Sequence, residues 1–318
     1  MNQMFPPFLD FPHSVLCRTL SDFKGRRITC LMNKGNCGDG LIHMGGRRLL
    51  RTLGLEYEEI VHPSPAAGDV LLVYGAGNLV RNACGMTYML KQYLGSFRQF
   101  VILPASIDVE CIQVVKLLKS LPRSAIIFCR ETVSHSTLKK HFPSANAHLS
   151  HDLAFYADLR EWAARPHSGT TSVYRVDFEK RATKKPLIGD LFDASNGTQD
   201  EPQRLLDHVA RYSVVHTDRT HGAVSAAMMG REVHLYANSY FKNRAIFEHS
   251  LQNFPNVRFE KAPIDLPVLI KESAFKAYQA IRSVDRRLRA ATGIFPPHTT
   301  AQPNRKKEQF NYDPPARV

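Results

Sequence analysis

Short runs of β-branched and aliphatic residues alternate with longer stretches of helical period along this chain, and most runs end in a glycine-rich or charged cluster. That alternation confines the fold to the α/β class with parallel sheets, where ligands gather at the carboxyl ends of the strands. In the first half the runs are 28–32, 69–74, 100–103 and 125–129, with helical stretches at 41–53 and 110–121. In the second of these helices Cys111, Val114, Val115 and Leu118 share one face. A polar connection at 158–172 follows, and the alternation then resumes. It predicts a strand at 172–176, a long polar stretch at 180–202, a helix at 203–211, a strand at 213–217, a small-residue helix at 223–229 and a strand at 232–236. No repeat of fixed period is present.

A chain of 318 residues exceeds one comfortable core. The expectation is two Rossmann-like domains, 1–165 and 166–270, with a ligand cleft between them. At 271–292 a basic amphipathic helix is expected, with Phe275, Tyr278, Ile281, Val284 and Leu288 on one stripe. It packs back on the body in the simpler reading and lies on an anionic membrane surface in the other. The segment 293–318, rich in proline and basic residues, is expected to be disordered. The 42 Lys and Arg against 29 Asp and Glu leave a net charge of +13, which attracts anionic partners. No apolar run approaches the roughly 20 residues of a membrane span. The first residues lack the pattern of a secretory signal. Six cysteines without any CxxC pair give no zinc or disulfide framework. A soluble, cytoplasmic protein is expected, with peripheral contact at the inner face of the cell membrane as the role of a membrane-lying helix.

Several strand-end clusters carry the candidate chemistry. Gly35, Asn36, Gly38 and Asp39 lie between a strand and a helix, where glycine lets a backbone approach a ligand. Asp39 reads either as the N-cap of that helix or as an acceptor or base for a sugar hydroxyl; on local physics the cap leads. Gly75, Gly77 and Asn78 form a second turn, but Val80 replaces the third glycine of a dinucleotide fingerprint and no acid follows at the required distance. A nicotinamide or flavin cofactor is therefore not expected. Ser106 follows the third strand, and Arg130 the fourth, offering a planar fork to carboxylate or phosphate. Arg130 reads equally well as the partner of Glu131 or another neighbouring acid. Asp152 is placed to orient it or to hold a hydroxyl. Asp218, Arg219 and His221 converge on one strand-to-helix turn, the arrangement an anionic substrate with a mobile proton requires. Asn238, Tyr240 and Lys242 follow the next strand and close the same crevice.

The ordered set Gly-Asn-x-Gly-Asp, Gly-x-Gly-Asn, Leu-Pro-x-Ser-Ile-Asp, Arg-Glu, His-Asp-x-Ala-Phe, Thr-Asp-Arg-x-His and Asn-x-Tyr-x-Lys resembles the polysaccharide pyruvyl transferase family, from about residue 33 to 251. The resemblance implies a GT-B-like fold of two Rossmann-like domains. It also implies transfer of a pyruvyl group from phosphoenolpyruvate to sugar hydroxyls as a cyclic ketal, on exopolysaccharide or cell-wall glycans. It assigns donor binding to Arg130 and Arg219 and the central histidine to His221; Asp39, Asp152 and Lys242 match further motif positions. Thr220 departs from the usual leucine or isoleucine and His151 from the frequent proline.

On this reading His221 is the general acid/base or the group that assists phosphate departure and, with Arg130, Arg219 and Lys242, binds phosphoenolpyruvate, while Asp39 or Asp152 orients or deprotonates an acceptor hydroxyl. The partners are then phosphoenolpyruvate and a saccharide acceptor, free or lipid-linked. No obligatory cofactor or metal is expected, because no His/Cys/carboxylate cluster has ligand spacing. Two rivals stand beside it: a GT-B-type glycosyltransferase using a nucleotide sugar, and a non-catalytic anion or nucleic-acid binder. The second explains the net charge but not the charged strand ends, so no nucleic acid is expected.

Overall fold

The computed structural model describes residues 5–80, 84–175 and 189–260, apart from the side chain of Asn196. In the first part the strands are β1 (Ile28–Met32), β2 (Tyr57–Val61), β3 (Gly68–Val73), β4 (Ala76–Leu79), β5 (Phe97–Ile107), β6 (Ile126–Cys129) and β7 (Asn146–Leu149). All pair in parallel, in the order β2-β1-β3-β5-β6-β7, with β4 lying along β5. Between and before them run α1 (Val15–Ser21), α2 (Cys37–Thr52), α3 (Gly85–Lys91), α4 (Ile112–Ser120) and α5 (Thr132–His141). β1 is buried at every position, as expected of an inner strand covered on both faces. β2 is an edge strand with its two glutamates exposed, and that polarity hides it from a hydrophobicity reading.

The short α6 (Arg160–Ala163) occupies the expected connection and leads to a second parallel sheet. Its strands are β8 (Thr170–Val173), β9 (Asp190–Phe192), β10 (Val214–Thr217), β11 (Glu232–Tyr236) and β12 (Val257–Glu260), in the order β12-β11-β10-β8-β9. The helices here are α7 (Pro202–Ala210), α8 (Thr220–Met228) and α9 (Lys242–His249). Beyond α9 and β12, which the sequence reading leaves out, the site region differs from it in these details. The strand expected at 172–176 ends at Val173, the polar stretch holds β9, and α8 starts early enough to take Thr220 and His221 into its first turn. Both sheets belong to one compact unit, Met1–Asp265. The expected 271–292 helix and 293–318 tail lie outside the described residues. Among those residues, no helix is long and apolar enough to cross a membrane.

Each sheet has a point where the chain leaves neighbouring strands in opposite directions. In the first it lies between β1, which leads to β2 at one edge, and β3, which leads toward β5, β6 and β7. In the second it lies between β8, which leads to β9, and β10, which leads to β11 and β12. Loops diverge there and open a crevice at the carboxyl ends. Helix α2 starts at the first of these points and packs closely on the 3₁₀ turn Leu153–Tyr156: a Cβ at Gly45 would lie 1.8 Å from the Leu153 carbonyl oxygen. Only glycine permits that approach, and the approach fixes the turn whose N-cap is Asp152.

Candidate active site

A cavity of about 210 Å³ opens at these strand ends. Of the residues singled out in the sequence, Gly35, Asn36, Gly38, Asp39, Gly77, Asn78, Arg130, Arg219, His221 and Lys242 line it. Gly75, Ser106, Asp152, Asp218, Asn238 and Tyr240 are not among its lining residues.

The loop after β1 is ordered by its own polar groups. Asn36 is the N-cap of α2, its Oδ1 accepting from the Gly38 amide at 2.8 Å, while Asp39 Oδ2 accepts from the Asn36 amide at 2.9 Å. This reciprocal pair is a capping box. The capping reading of Asp39 thus describes its hydrogen bonding, with the correction that Asn36 holds the cap and Asp39 sits one turn in. Gly38 is pressed against the imidazole of His221; a Cβ there would come within 2.7 Å of Nδ1. Gly75 is a packing residue whose Cβ would strike Ala105 at 2.7 Å.

Arg130 is 1% exposed and held on two sides. Its Nε donates to Ser106 Oγ at 2.9 Å and its Nη1 to Asp152 Oδ2 at 2.7 Å. Glu131 does not pair with it; it caps α5 by accepting from the Ser134 amide at 2.9 Å, and burial pushes its carboxyl up. Burial alone would raise the Asp152 carboxyl too, but the Arg130 guanidinium and the nearby His221 hold it well below the usual carboxylate range. Asp152 is therefore ionised at neutral pH. His221 Nε2 lies 3.6 Å from Asp152 Oδ2, too long for a hydrogen bond but near enough for the buried carboxylate to face the ring nitrogen.

The second sheet supplies the rest. Arg219 is buried at the start of α8, its amide donating to Thr217 Oγ1 at 2.9 Å and its guanidinium paired with Asp193. Asp218 Oδ1 accepts from the amide of Arg175 at 2.7 Å. Asn238 Oδ1 accepts from the Asn243 amide at 3.4 Å, and the Tyr240 ring lies 5.0 Å from Lys242 Nζ. Asn243 Nδ2 donates to the carbonyls of Asp218 (2.7 Å) and Tyr236 (3.0 Å), and its Oδ1 accepts from Thr220 at 2.8 Å. One buried amide thereby ties the ends of β10 and β11 to the helix that begins with Lys242.

The profile of the family described as polysaccharide pyruvyl transferase matches residues 36–240, more than half the chain and most of the lining just described. The chain belongs to that family. Its members are transferases acting on a saccharide acceptor. Among solved structures, that of a functionally uncharacterised protein from Klebsiella pneumoniae resembles it with a TM-score of 0.64, at 23% identity over 80% of this chain and 99% of that one. At that identity the likeness concerns the fold alone. No curated protein matches the chain.

Within this pyruvyl transferase, three site-forming residues escape sequence reasoning. Arg175 lines the cavity, Asp193 pairs with Arg219, and Asn243 joins the strand ends. A strand drawn to residue 176 encloses Arg175 in an element, whereas β8 stops at Val173 and releases it into the crevice. Asp193 sits in a polar stretch with no pattern to mark it. Among the described residues, no group of three or more His, Cys, Asp or Glu is arranged to hold a metal ion.

Proposed function

We propose that this cavity binds phosphoenolpyruvate and that the protein transfers its pyruvyl group to two hydroxyls of one sugar in an exopolysaccharide or cell-surface glycan precursor. The observation that carries the reading is the convergence of Arg130, Arg175, Arg219 and Lys242 on one small cavity around His221. A donor with a carboxylate and a phosphate needs more than one cation, and a proton must reach its methylene carbon. The two sheets are read as two Rossmann-like domains of GT-B-like arrangement with this cavity in their cleft. The acceptor is a saccharide, free or lipid-linked; no metal or further cofactor is assigned.

The reaction balances as follows. A proton adds to the methylene carbon, C2 becomes electrophilic, and the first sugar hydroxyl attacks it and loses its proton. The bond from C2 to the phosphate oxygen breaks, and the second hydroxyl closes the ring on C2, losing its own proton. One of the two released protons replaces the one taken up by the new methyl group; the other leaves on phosphate. His221, with its Nε2 3.6 Å from Asp152 Oδ2, is the acid for the first step. The arginines and Lys242 hold the anionic groups. Asp39, which lines the cavity, orients an acceptor hydroxyl, and buried Asp152 orients Arg130.

The test is phosphate release from phosphoenolpyruvate, with and without a pool of free and lipid-linked oligosaccharides, for wild type and His221→Ala. Acceptor-dependent release that falls by about 10²- to 10⁴-fold in the variant is expected. Release of a nucleoside diphosphate from a nucleotide sugar, with none of phosphate from phosphoenolpyruvate, would replace this reading by a glycosyltransferase.

A further inference from the structure

We propose that Arg175 binds the phosphate end of the donor together with Arg219, while Arg130 and Lys242 bind the carboxylate end over Gly77. This assignment rests on the phosphoenolpyruvate reading above.

Arg175 and Arg219 occupy equivalent places. Val173 of β8 and Thr217 of β10 are register partners, so each arginine lies two residues beyond the same rung. Neighbouring strands run about 4.8 Å apart, which sets the spacing of the two stems at their roots. The Arg175 amide is bound to Asp218, the residue before Arg219, and Thr217 Oγ1 donates to the Val173 carbonyl at 2.7 Å. The two strand ends are thus laced into one lip. They are also the pair from which the chain departs in opposite directions, where open α/β sheets take their ligands. Both arginines are buried and both line the cavity.

The other two cations meet elsewhere. A Cβ on Gly77 would lie 3.6 Å from Arg130 Nη2 and 3.8 Å from Lys242 Nζ, so both approach this one backbone position. The cavity therefore offers two cation pairs, one at the end of β8 and β10 and one over Gly77. Two guanidinium forks suit the three oxygens of a phosphate dianion. A fork and a point charge beside an open glycine suit a planar carboxylate. Phosphate placed at the lip leaves along the strand ends of the second sheet, while C2 stays near His221.

Steady-state kinetics of phosphate release, with inorganic phosphate and pyruvate as separate inhibitors, test the assignment. Binding of inorganic phosphate followed by ³¹P NMR gives a readout independent of turnover. In Arg175→Ala the KM for phosphoenolpyruvate is expected to rise about 10- to 100-fold, the value of a lost charge-assisted contact, with a smaller change in kcat. Inhibition by phosphate weakens in parallel, and inhibition by pyruvate, which has only the carboxylate, stays within about twofold. Arg175→Lys restores part of the phosphate binding, and carries the test if the alanine variant does not fold. An unchanged KM and unchanged phosphate inhibition overturn the proposal. Loss of pyruvate inhibition with phosphate inhibition intact overturns the assignment of ends. If the wild type turns over no phosphoenolpyruvate yet binds phosphate in an Arg175-dependent way, the donor reading fails and the phosphate subsite stands.

Discussion

Helices α2 and α8 each run between two cavities of contrasting chemistry. At their amino-terminal ends Gly38, Asp39, Thr220 and His221 line the site of about 210 Å³; at the other ends Arg48, Thr52 and Met228 line a larger cavity of about 670 Å³. The 16 residues of α2 make it about 24 Å long. The larger space is walled mainly by Phe5, Pro6, Pro7, Leu159 and Phe254; its Asp158, itself 35% exposed, pairs with Arg160, which is 78% exposed, and at 4.0 Å with Arg48. In the smaller space the pair Arg130–Asp152 is 1% exposed on both sides. Volume alone would select the other end. What distinguishes a site is charge kept out of water, because a buried ion pair is retained at a desolvation cost that an exposed pair does not carry.

That contrast can be broken first at Asp152. Asp152→Ala strands the Arg130 guanidinium in a buried position and should lower stability by about 3–5 kcal/mol, measured by urea unfolding; a loss below about 1 kcal/mol would mean the pair behaves as a surface one. Gly38→Ala comes next, since its methyl group must displace the His221 ring. Overpacking of about 1–3 kcal/mol expressed at the imidazole predicts a roughly 10- to 100-fold slower phosphate release with a largely intact fold by circular dichroism. Acid sharpens the picture of α2 itself. Burial holds His43 of α2, His151 beside Asp152 and His208 of α7 at about 4, against an ordinary value of 6.5. Between those values the unfolded chain binds more protons than the folded one, so Tm should fall as pH drops from about 6.5 to about 4; below that, protonation of depressed carboxyls such as Asp152 and Asp158 continues the fall. His43→Gln should flatten part of that slope. Arg160→Ala, at the larger cavity, should leave both the unfolding midpoint in urea and phosphate release unchanged.

Inner strands were legible because burial on both faces writes them as unbroken apolar runs. β1 and β11 fall where the sequence places them, and β5 and β10 differ only in their ends. Edge strands were not. β9 is three residues inside a polar stretch and β12 alternates Val-Arg-Phe-Glu, so neither accumulates a signal. The same division runs through the site. Arg130, Arg219 and His221 were found because they directly follow readable strands. Arg175 needed the boundary of β8 to within two residues, and its pairing with Arg219 needed the knowledge that β8 lies beside β10 although β9 intervenes in the chain. Sheet order is a tertiary property, and no local pattern encodes it. The partner of Asp152 was one of several readings at Arg130, and only burial of both groups decided it.

The lacing of the β8 and β10 ends bears on the entropy of binding. An arginine on a free loop must surrender backbone as well as side-chain freedom when it closes on an anion. Here the Arg175 and Arg219 backbones are already held through Asp218 and Thr217. Ordering on ligation is confined to the outer torsions of the two side chains, about 0.5–1.5 kcal/mol for each. The hydrogen bonds that finish the sheet would thus also spare an anion held by the proposed clamp most of the ordering cost.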